Sequence, residues 1–128
     1  MTCLDSSAIA KLAAAEPPSI TLRAHLRRRR SIVSSRLATA EVLRALLVEG
    51  AEAVQRGRAV LSRVVPVRLS DRILAVARTL LPTTVGSLEA LHLATAFELG
   101  SDLVRVVTYD MRTAEGARHL DLRPDSPA

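Results

Sequence analysis

Short apolar segments alternate with longer helical segments along this chain, and this alternation most constrains its fold. The clearest strand pattern is LVRVVT, residues 103–108, in which every residue except Arg105 is apolar or β-branched. Shorter strand patterns occur at MTCL, SIVSS, VVPVRLS and the terminal LDLRP. Helical patterns separate them and are bounded by capping residues, glycines or prolines. Such alternation predicts an α/β fold with a short, mainly parallel sheet.

Length and composition indicate one domain in a reducing compartment. The 128 residues fit a single domain, which we place at residues 1–123 with a tail over 124–128. No apolar run approaches the roughly 20 residues of a membrane span. Asp5 and Lys11 interrupt the apolar N-terminal stretch, so we expect no signal peptide. The lone cysteine, Cys3, excludes an internal disulfide, and the cytoplasm is therefore the expected location.

The chain is basic, with a net charge of +5 and a pI of about 10.9, yet Lys11 is its single lysine. The remaining positive charge is arginine, including the run Arg27–Arg30. Guanidinium groups suit phosphate, which favours a polyanionic partner. GC-rich coding would produce the same bias, so the arginines support nucleic-acid binding without identifying it. Phe97 and Tyr109 are the only aromatic residues, which argues against a base-stacking platform.

Two aspartates follow predicted strands. Asp5 comes directly after MTCL, and Asp110 comes after LVRVVTY. Ligands of an open parallel sheet bind beyond the carboxyl ends of its strands, so both carboxylates are expected at one edge. Aspartate is also a favoured N-cap, and both positions precede a helix. Capping explains either residue alone, whereas their placement at the same edge makes a functional role at least as good an explanation.

Glu41 lies on an apolar stripe of its predicted helix. A carboxylate in such a position must be paired, protonated or bound to a cation, because burying a bare charge is costly. A pair with Arg44, three residues later, is the local alternative. The neighbours on the stripe are Leu37, Ala38, Ala45 and Val48.

Glu89 lies near the start of the helical segment VGSLEALHLATAFELG, residues 85–100. With Ser87 as N-cap and Gly100 as the stop signal, Glu89 falls in the first turn, where a negative charge favours the helix dipole. Taken alone, the residue indicates little about function.

The four carboxylates of Asp5, Glu41, Glu89 and Asp110 could together bind metal ions. If they converge, they can hold one or two Mg²⁺ or Mn²⁺ ions, which prefer hard oxygen ligands. Such ions activate water and neutralise charge on a phosphodiester under in-line attack. An acidic metal site within a basic surface is what a nuclease requires.

Four segments of the chain form a recognisable set: CLDSSAIAKL, SSRLATAEVLRAL, SLEALHLATAFELGSDL and VVTYDMRTAEGAR. They resemble the signature blocks of PIN-domain ribonucleases, in particular the VapC toxins of bacterial VapBC toxin–antitoxin systems. The blocks occur in family order at family-like spacing and cover nearly the whole chain. The resemblance implies a three-layer α/β/α sandwich, a homodimer, and Mg²⁺-dependent cleavage of transfer or ribosomal RNA. It also implies inhibition by a cognate VapB-like antitoxin in a hetero-oligomer, with DNA contacted only through that antitoxin.

The resemblance also assigns site residues. The hydroxyl position after the first acid falls on Ser6, and the one two residues before the last acid falls on Thr108. Both are expected to support the carboxylates or to bridge to metal-bound water, and Arg112 is expected to contact the substrate phosphate. The family usually has aspartate at its third acid, so the longer glutamate here puts metal affinity and turnover in question more than the fold. The four acidic positions fall on Asp5, Glu41, Glu89 and Asp110.

Other interpretations remain. Glu89 and His92 form one Glu-x-x-His pair, but a di-iron helical bundle needs two, so we predict that His92 is a helix packing residue. A PIN-like module that binds RNA or a partner with weak or no catalysis is the main alternative function. It is motivated by Glu89 and by the capping explanations that the acids share.

Overall fold

The structure, a computed structural model, describes residues 1–14, 17–27 and 31–127 of the chain. Arg28–Arg30, most of the predicted basic run, lie outside the described residues. No helix in the described ranges has the length and apolar character needed to cross a membrane. The strands are β1 (Thr2–Leu4), β2 (Ile32–Ser35), β3 (Val65–Val67), β4 (Arg105–Val107) and β5 (Pro124–Asp125). The α-helices are α1 (Ser6–Ala13), α2 (Pro17–Leu26), α3 (Leu37–Leu47), α4 (Ala51–Leu61), α5 (Asp71–Arg78), α6 (Ser87–Glu98) and α7 (Met111–His119).

The five strands form one parallel sheet in the order β3-β2-β1-β4-β5. At its centre, Cys3 of β1 pairs with Val33 of β2 and with Val106 of β4. The predicted α/β fold with a mainly parallel sheet is therefore confirmed. Because all strands run the same way, their carboxyl ends share one edge. Asp5 follows β1 directly at this edge, and Asp110 lies three residues after the end of β4.

Helices cover both faces of the sheet, as the alternation of strand side chains requires. Cys3 and Leu4 are successive residues of β1, yet they belong to different hydrophobic clusters. Leu4 packs with residues of α1 to α4, and Cys3 packs with α6 on the other face. The predicted three-layer α/β/α sandwich is therefore confirmed. The larger cluster includes Ala8, Ile9, Leu12, Leu22, Val42, Leu46 and Val107, and the smaller one Val33, Ala96 and Val106.

The buried face of α3 differs from the predicted apolar stripe. Ala38, Val42 and Leu46 are buried, whereas Val48 is 90% exposed. The core therefore lies beside Glu41, which sits at the boundary and is partly exposed. Apolar residues on both sides of α3 made the periodicity ambiguous.

Two element boundaries also differ from prediction. The N-cap of α6 is Gly86, which has no capping side chain, and Ser87 is the first helical residue. The last strand lies at Pro124–Asp125 rather than at LDLRP, residues 120–124. The chain leaves α7 through a turn in which Asp121 has a φ of 58°, and this turn delays pairing with β4. The strand includes two residues of the segment 124–128 that the sequence suggests is a tail.

Candidate active site

Asp5 joins β1 to α1 and is buried, with 4% of its surface exposed. Its Oδ1 accepts hydrogen bonds from the backbone N of Ala8 at 2.9 Å and from Ser7 Oγ at 2.6 Å. Its Oδ2 accepts from Thr108 Oγ1. Because the strand runs directly into the helix, Asp5 adopts the extended backbone of an N-cap. It therefore caps α1 and also presents a buried carboxylate at the sheet edge.

Burial raises the pKa of Asp5 above the ordinary value of an aspartate, because the buried charge loses its hydration. The hydrogen bonds from Ser7, Thr108 and the Ala8 backbone, and the charge of His92, lower the pKa by a smaller total. The ionised carboxylate is thus unfavourable in its own surroundings. A cation beside it would relieve that cost.

Thr108 links Asp5 to Asp110. Its hydroxyl donates to Asp5 and accepts from the backbone N of Asp110 at 3.1 Å. Asp110 caps α7, and its Oδ1 accepts from the backbone N atoms of Arg112 at 2.8 Å and Thr113 at 3.2 Å. The two aspartates therefore lie at the same sheet edge, joined through one hydroxyl. The Arg112 side chain is exposed at the start of α7.

Glu41 of α3 is bonded to α6. Its Oε1 lies 2.5 Å from Nε2 of His92, so its partner is His92 rather than Arg44, the local alternative. His92 is buried, with 4% of its side chain exposed, and Glu41 is 24% exposed. Ser6 Oγ lies 3.3 Å from the same Nε2. His92 is thus a polar residue of the candidate site, and the prediction that it only packs the helix is incomplete.

The two hydroxyl residues after Asp5 have different contacts. Ser6, expected to support a carboxylate, instead contacts His92. Ser7 donates to Asp5 and accepts from the backbone N of Tyr109 at 2.9 Å, so it connects the β1 and β4 ends of the site.

Glu89 lies in the first turn of α6, as predicted, and is partly buried. Its carboxylate turns back towards Gly86, where an added Cβ would overlap Oε2 of Glu89. The negative charge thus lies near the helix N-terminus, which favours it. The hydrogen bonds therefore form one group around Asp5, Thr108 and Asp110 and a second around Glu41 and His92, with Glu89 at the start of α6.

The C-terminal segment is bonded to the loop that carries Thr108. The backbone N of Thr108 donates to the carbonyl of Asp125 at 3.0 Å. Ser126 Oγ donates to the carbonyl of Thr108, and Tyr109 Oη donates to the carbonyl of Pro127. The Asp125 carboxylate lies 3.1 Å from Arg105 and 3.3 Å from His25. This segment, residues 124–127, therefore supports the site loop.

Two site residues, Ser7 and His92, were missed at the level of sequence. A signal for His92 exists, since it is the one polar ring on a helix that is apolar nearly all round and it lies one turn after Glu89. No signal separates Ser7 from Ser6, because only the start of α1 decides which hydroxyl turns back to Asp5.

The donor chemistry of the site fits a hard divalent cation. Asp5 and Asp110 supply two carboxylates at one sheet edge, and the one at Asp5 is buried with a raised pKa. Within residues 1–14, 17–27 and 31–127, however, no three His, Cys, Asp or Glu side chains are grouped closely enough to hold a metal ion. The residues thus fit such an ion by ligand type, while the described side chains do not form a complete ligand set.

Comparison with known proteins adds independent information. A model of the PIN domain family matches residues 2–118. Ribonuclease VapC46 of Mycobacterium tuberculosis H37Rv is 48% identical over 125 residues, which cover 98% of this chain and 96% of the relative. Ribonuclease VapC47 of the CDC 1551 strain is 31% identical over 132 residues, covering 99% and 97%. The fold is similar to a solved structure, the crystal structure of VapBC2 from Rickettsia felis bound to a promoter DNA fragment. The TM-score is 0.72 at 13% identity, and the alignment covers 99% of this chain and 98% of that chain.

Proposed function

The chain belongs to the PIN-domain family, in its VapC group, and on that premise we propose that it is the toxin of a toxin–antitoxin pair. Its activity is endonucleolytic hydrolysis of cellular RNA, of the transfer or ribosomal class, with Mg²⁺ or Mn²⁺. One observation carries the proposal: a buried Asp5 carboxylate is joined through Thr108 to Asp110 at the carboxyl edge, in a chain 48% identical to a ribonuclease.

Asp5, Glu41, Glu89 and Asp110 would hold the divalent ion. When bound, such an ion supplies Lewis-acid chemistry, lowering the pKa of water and neutralising charge on the phosphodiester. Ser7 and Thr108 hold the Asp5 carboxylate in one orientation, and the Asp110 carboxylate is fixed by the first turn of α7. The Arg112 side chain, which is exposed at the start of α7, would contact a phosphate of the RNA.

The proposed partners follow from the same membership. A VapB-like antitoxin would inhibit the protein in a hetero-oligomer, and the chain itself would form a homodimer. The VapBC2 complex of Rickettsia felis is bound to promoter DNA, which supports DNA contact by a complex with the antitoxin. The free thiol of Cys3 and an RNA substrate agree with a cytoplasmic location.

Cleavage of structured RNA by the purified protein tests the proposal. The parent with Mg²⁺ or Mn²⁺ should give cleavage products that EDTA abolishes, and Asp5→Asn should give none. Asp102→Asn is the matched control, since Asp102 is exposed and lies before β4, beside the N-terminus, at the opposite edge of the sheet from Asp5 and Asp110. Sequencing of the cleaved ends after brief expression would identify the RNA. Products that persist in EDTA or in Asp5→Asn would contradict the mechanism.

A PIN-like module that binds RNA without cutting it is the alternative. The incomplete ligand set around Asp5 and the glutamate at position 89 favour it. Under that alternative the cleavage assay would show no metal-dependent products, although the purified protein would retain the RNA. Expression of the protein would cause no growth arrest.

A further inference from the structure

His92 is the polar centre of the second contact group. Its ring is buried in α6, where it faces Glu41 of α3 and Ser6 of α1 through one atom, Nε2. An ionised carboxylate can only accept, so the proton of this 2.5 Å bond lies on the imidazole when Glu41 is charged. Three helices therefore meet at one nitrogen.

The second ring nitrogen has no matching role. Within the described part of the chain, Nδ1 of His92 is buried and lacks a hydrogen-bond partner. Buried polar atoms are paired in nearly all native structures, because an unpaired one lowers stability. An apolar side chain of similar size would avoid that cost. The histidine is therefore not explained by packing, and the contact with Glu41 is what the imidazole adds.

That contact restricts a flexible acid. Glu41 is 24% exposed at the edge of the core, and its side chain has three rotatable bonds. The bond to Nε2 engages Oε1 and fixes the carboxylate towards α6, leaving Oε2 for another partner. A ligand held in this way loses less freedom when it binds a cation.

We propose that His92 is a positioning residue that holds the Glu41 carboxylate ready for the divalent ion. This inference rests on the proposed function, because it assumes that Glu41 is a ligand. Ser6 assists by contacting the same nitrogen. His92 acts through Glu41 and touches neither substrate nor ion.

The test measures Mn²⁺ binding to metal-stripped protein by electron paramagnetic resonance, with thermal unfolding as the check on folding. His92→Leu keeps the apolar volume and removes the donor, whereas His92→Gln places an amide N–H the same number of bonds from Cβ as Nε2. His119→Leu is the matched control, since His119 is an exposed histidine at the end of α7. Loss of such a supporting hydrogen bond weakens metal binding about 10- to 100-fold. We expect a loss of this size for His92→Leu, substantial recovery in His92→Gln, no change in His119→Leu, and no fall in the unfolding temperature of His92→Leu.

Three outcomes would overturn the inference, and they can be told apart. If the parent binds Mn²⁺ and His92→Leu binds it equally or more tightly, His92 does not position Glu41, while the proposed function stands. If the parent binds no Mn²⁺, or Asp5→Asn binds it as well as the parent, the proposed function fails and takes this inference with it. A loss in His92→Leu that His92→Gln does not restore would show that the ring, and not the donor, is what matters.

Discussion

The contacts of Asp5 predict that two substitutions with the same effect on activity have opposite effects on stability. Both Asp5→Asn and Asp5→Ala remove the charge, so both should abolish RNA cleavage. They differ in the hydrogen bonds that remain. Asparagine keeps an Oδ1 acceptor for the Ala8 backbone N and for Ser7, and its amide can donate to Thr108 Oγ1. Alanine keeps none of these bonds.

The magnitude follows from those bonds. Loss of an aspartate N-cap costs about 1 kcal/mol. A buried donor left without an acceptor costs about 1–3 kcal/mol, and the Thr108 hydroxyl, which donates to Oδ2 of Asp5, is one such donor. We therefore expect Asp5→Ala to lose about 2–4 kcal/mol of unfolding free energy. For a domain of this size that corresponds to a fall in Tm on the order of 10 °C.

Asp5→Asn should unfold at the same temperature as the parent or higher at neutral pH. Burial raises the pKa of Asp5, so ionisation of this residue disfavours the folded state. At pH values below the ordinary aspartate pKa, the carboxyl is protonated in both states and contributes nothing. As the pH rises from that value to the raised pKa, the unfolded state releases its proton first and the parent loses stability relative to the asparagine variant. Above the raised pKa the difference is constant.

Thermal unfolding of the parent and both variants at about pH 4 and pH 7 checks this prediction. Asp102→Asn is again the control for a general effect of removing an exposed charge. The reasoning fails if Asp5→Asn is destabilised as much as Asp5→Ala, or if its advantage over the parent is larger at the lower pH.

Three further predictions concern the surroundings of the site. Thr108→Val removes the bond to Asp5 and the acceptor of the Asp110 N–H, so it should lower cleavage and Tm, with a loss of about 1–3 kcal/mol in the free energy of unfolding. Thr108→Ser keeps the hydroxyl and should retain both cleavage and Tm. Equal loss in the two variants would contradict the role of the hydroxyl. Burial and the nearby Asp5 charge raise the pKa of Cys3 to about 12. A thiol reagent at pH 8 should therefore label Cys3 only when urea unfolds the protein. Rapid labelling of the native protein would contradict this and show that the β1 region opens. Truncation after Arg123 removes β5 and the bonds that Asp125, Ser126 and Pro127 make with residues 105–109. The truncation should therefore lower Tm and cleavage together. An unchanged Tm would instead support the prediction that residues 124–128 are only a tail.

The architecture was readable from the sequence because it depends on patterns that repeat. Strands such as LVRVVT are apolar on both faces, as expected where helices cover both sides of a parallel sheet. The same logic placed Asp5 and Asp110, since a residue that follows a parallel strand can lie only at the carboxyl edge. Both were also predicted to cap helices, and both do.

The polar partners were not readable, because they depend on where helices cross. A pair with Arg44 on the same helix was the local alternative for Glu41, but the contact is made by His92, 51 residues away in the chain. The hydroxyl that bonds to Asp5 belongs to Ser7, which was not predicted, since the first turn of α1 decides which hydroxyl faces back. The N-cap of α6 is Gly86 rather than the predicted Ser87, because the direction from which the chain enters the helix decides which residue is the first helical one. The roles of the acids, Ser6, Thr108 and Arg112 in catalysis stay predictions.

The position of the Glu89 carboxylate depends on the residue at position 86. The backbone φ of Gly86 is −69°, which any residue can adopt, so conformation does not require glycine there. A Cβ at position 86 would stand where the Glu89 carboxylate lies, and it would meet the flexible end of that side chain rather than backbone. An alanine at position 86 is therefore accommodated by rotation of the Glu89 side chain, which moves the carboxylate away from its present place at the start of α6. Substitution at position 86 thus changes where this acid points without changing the acid itself.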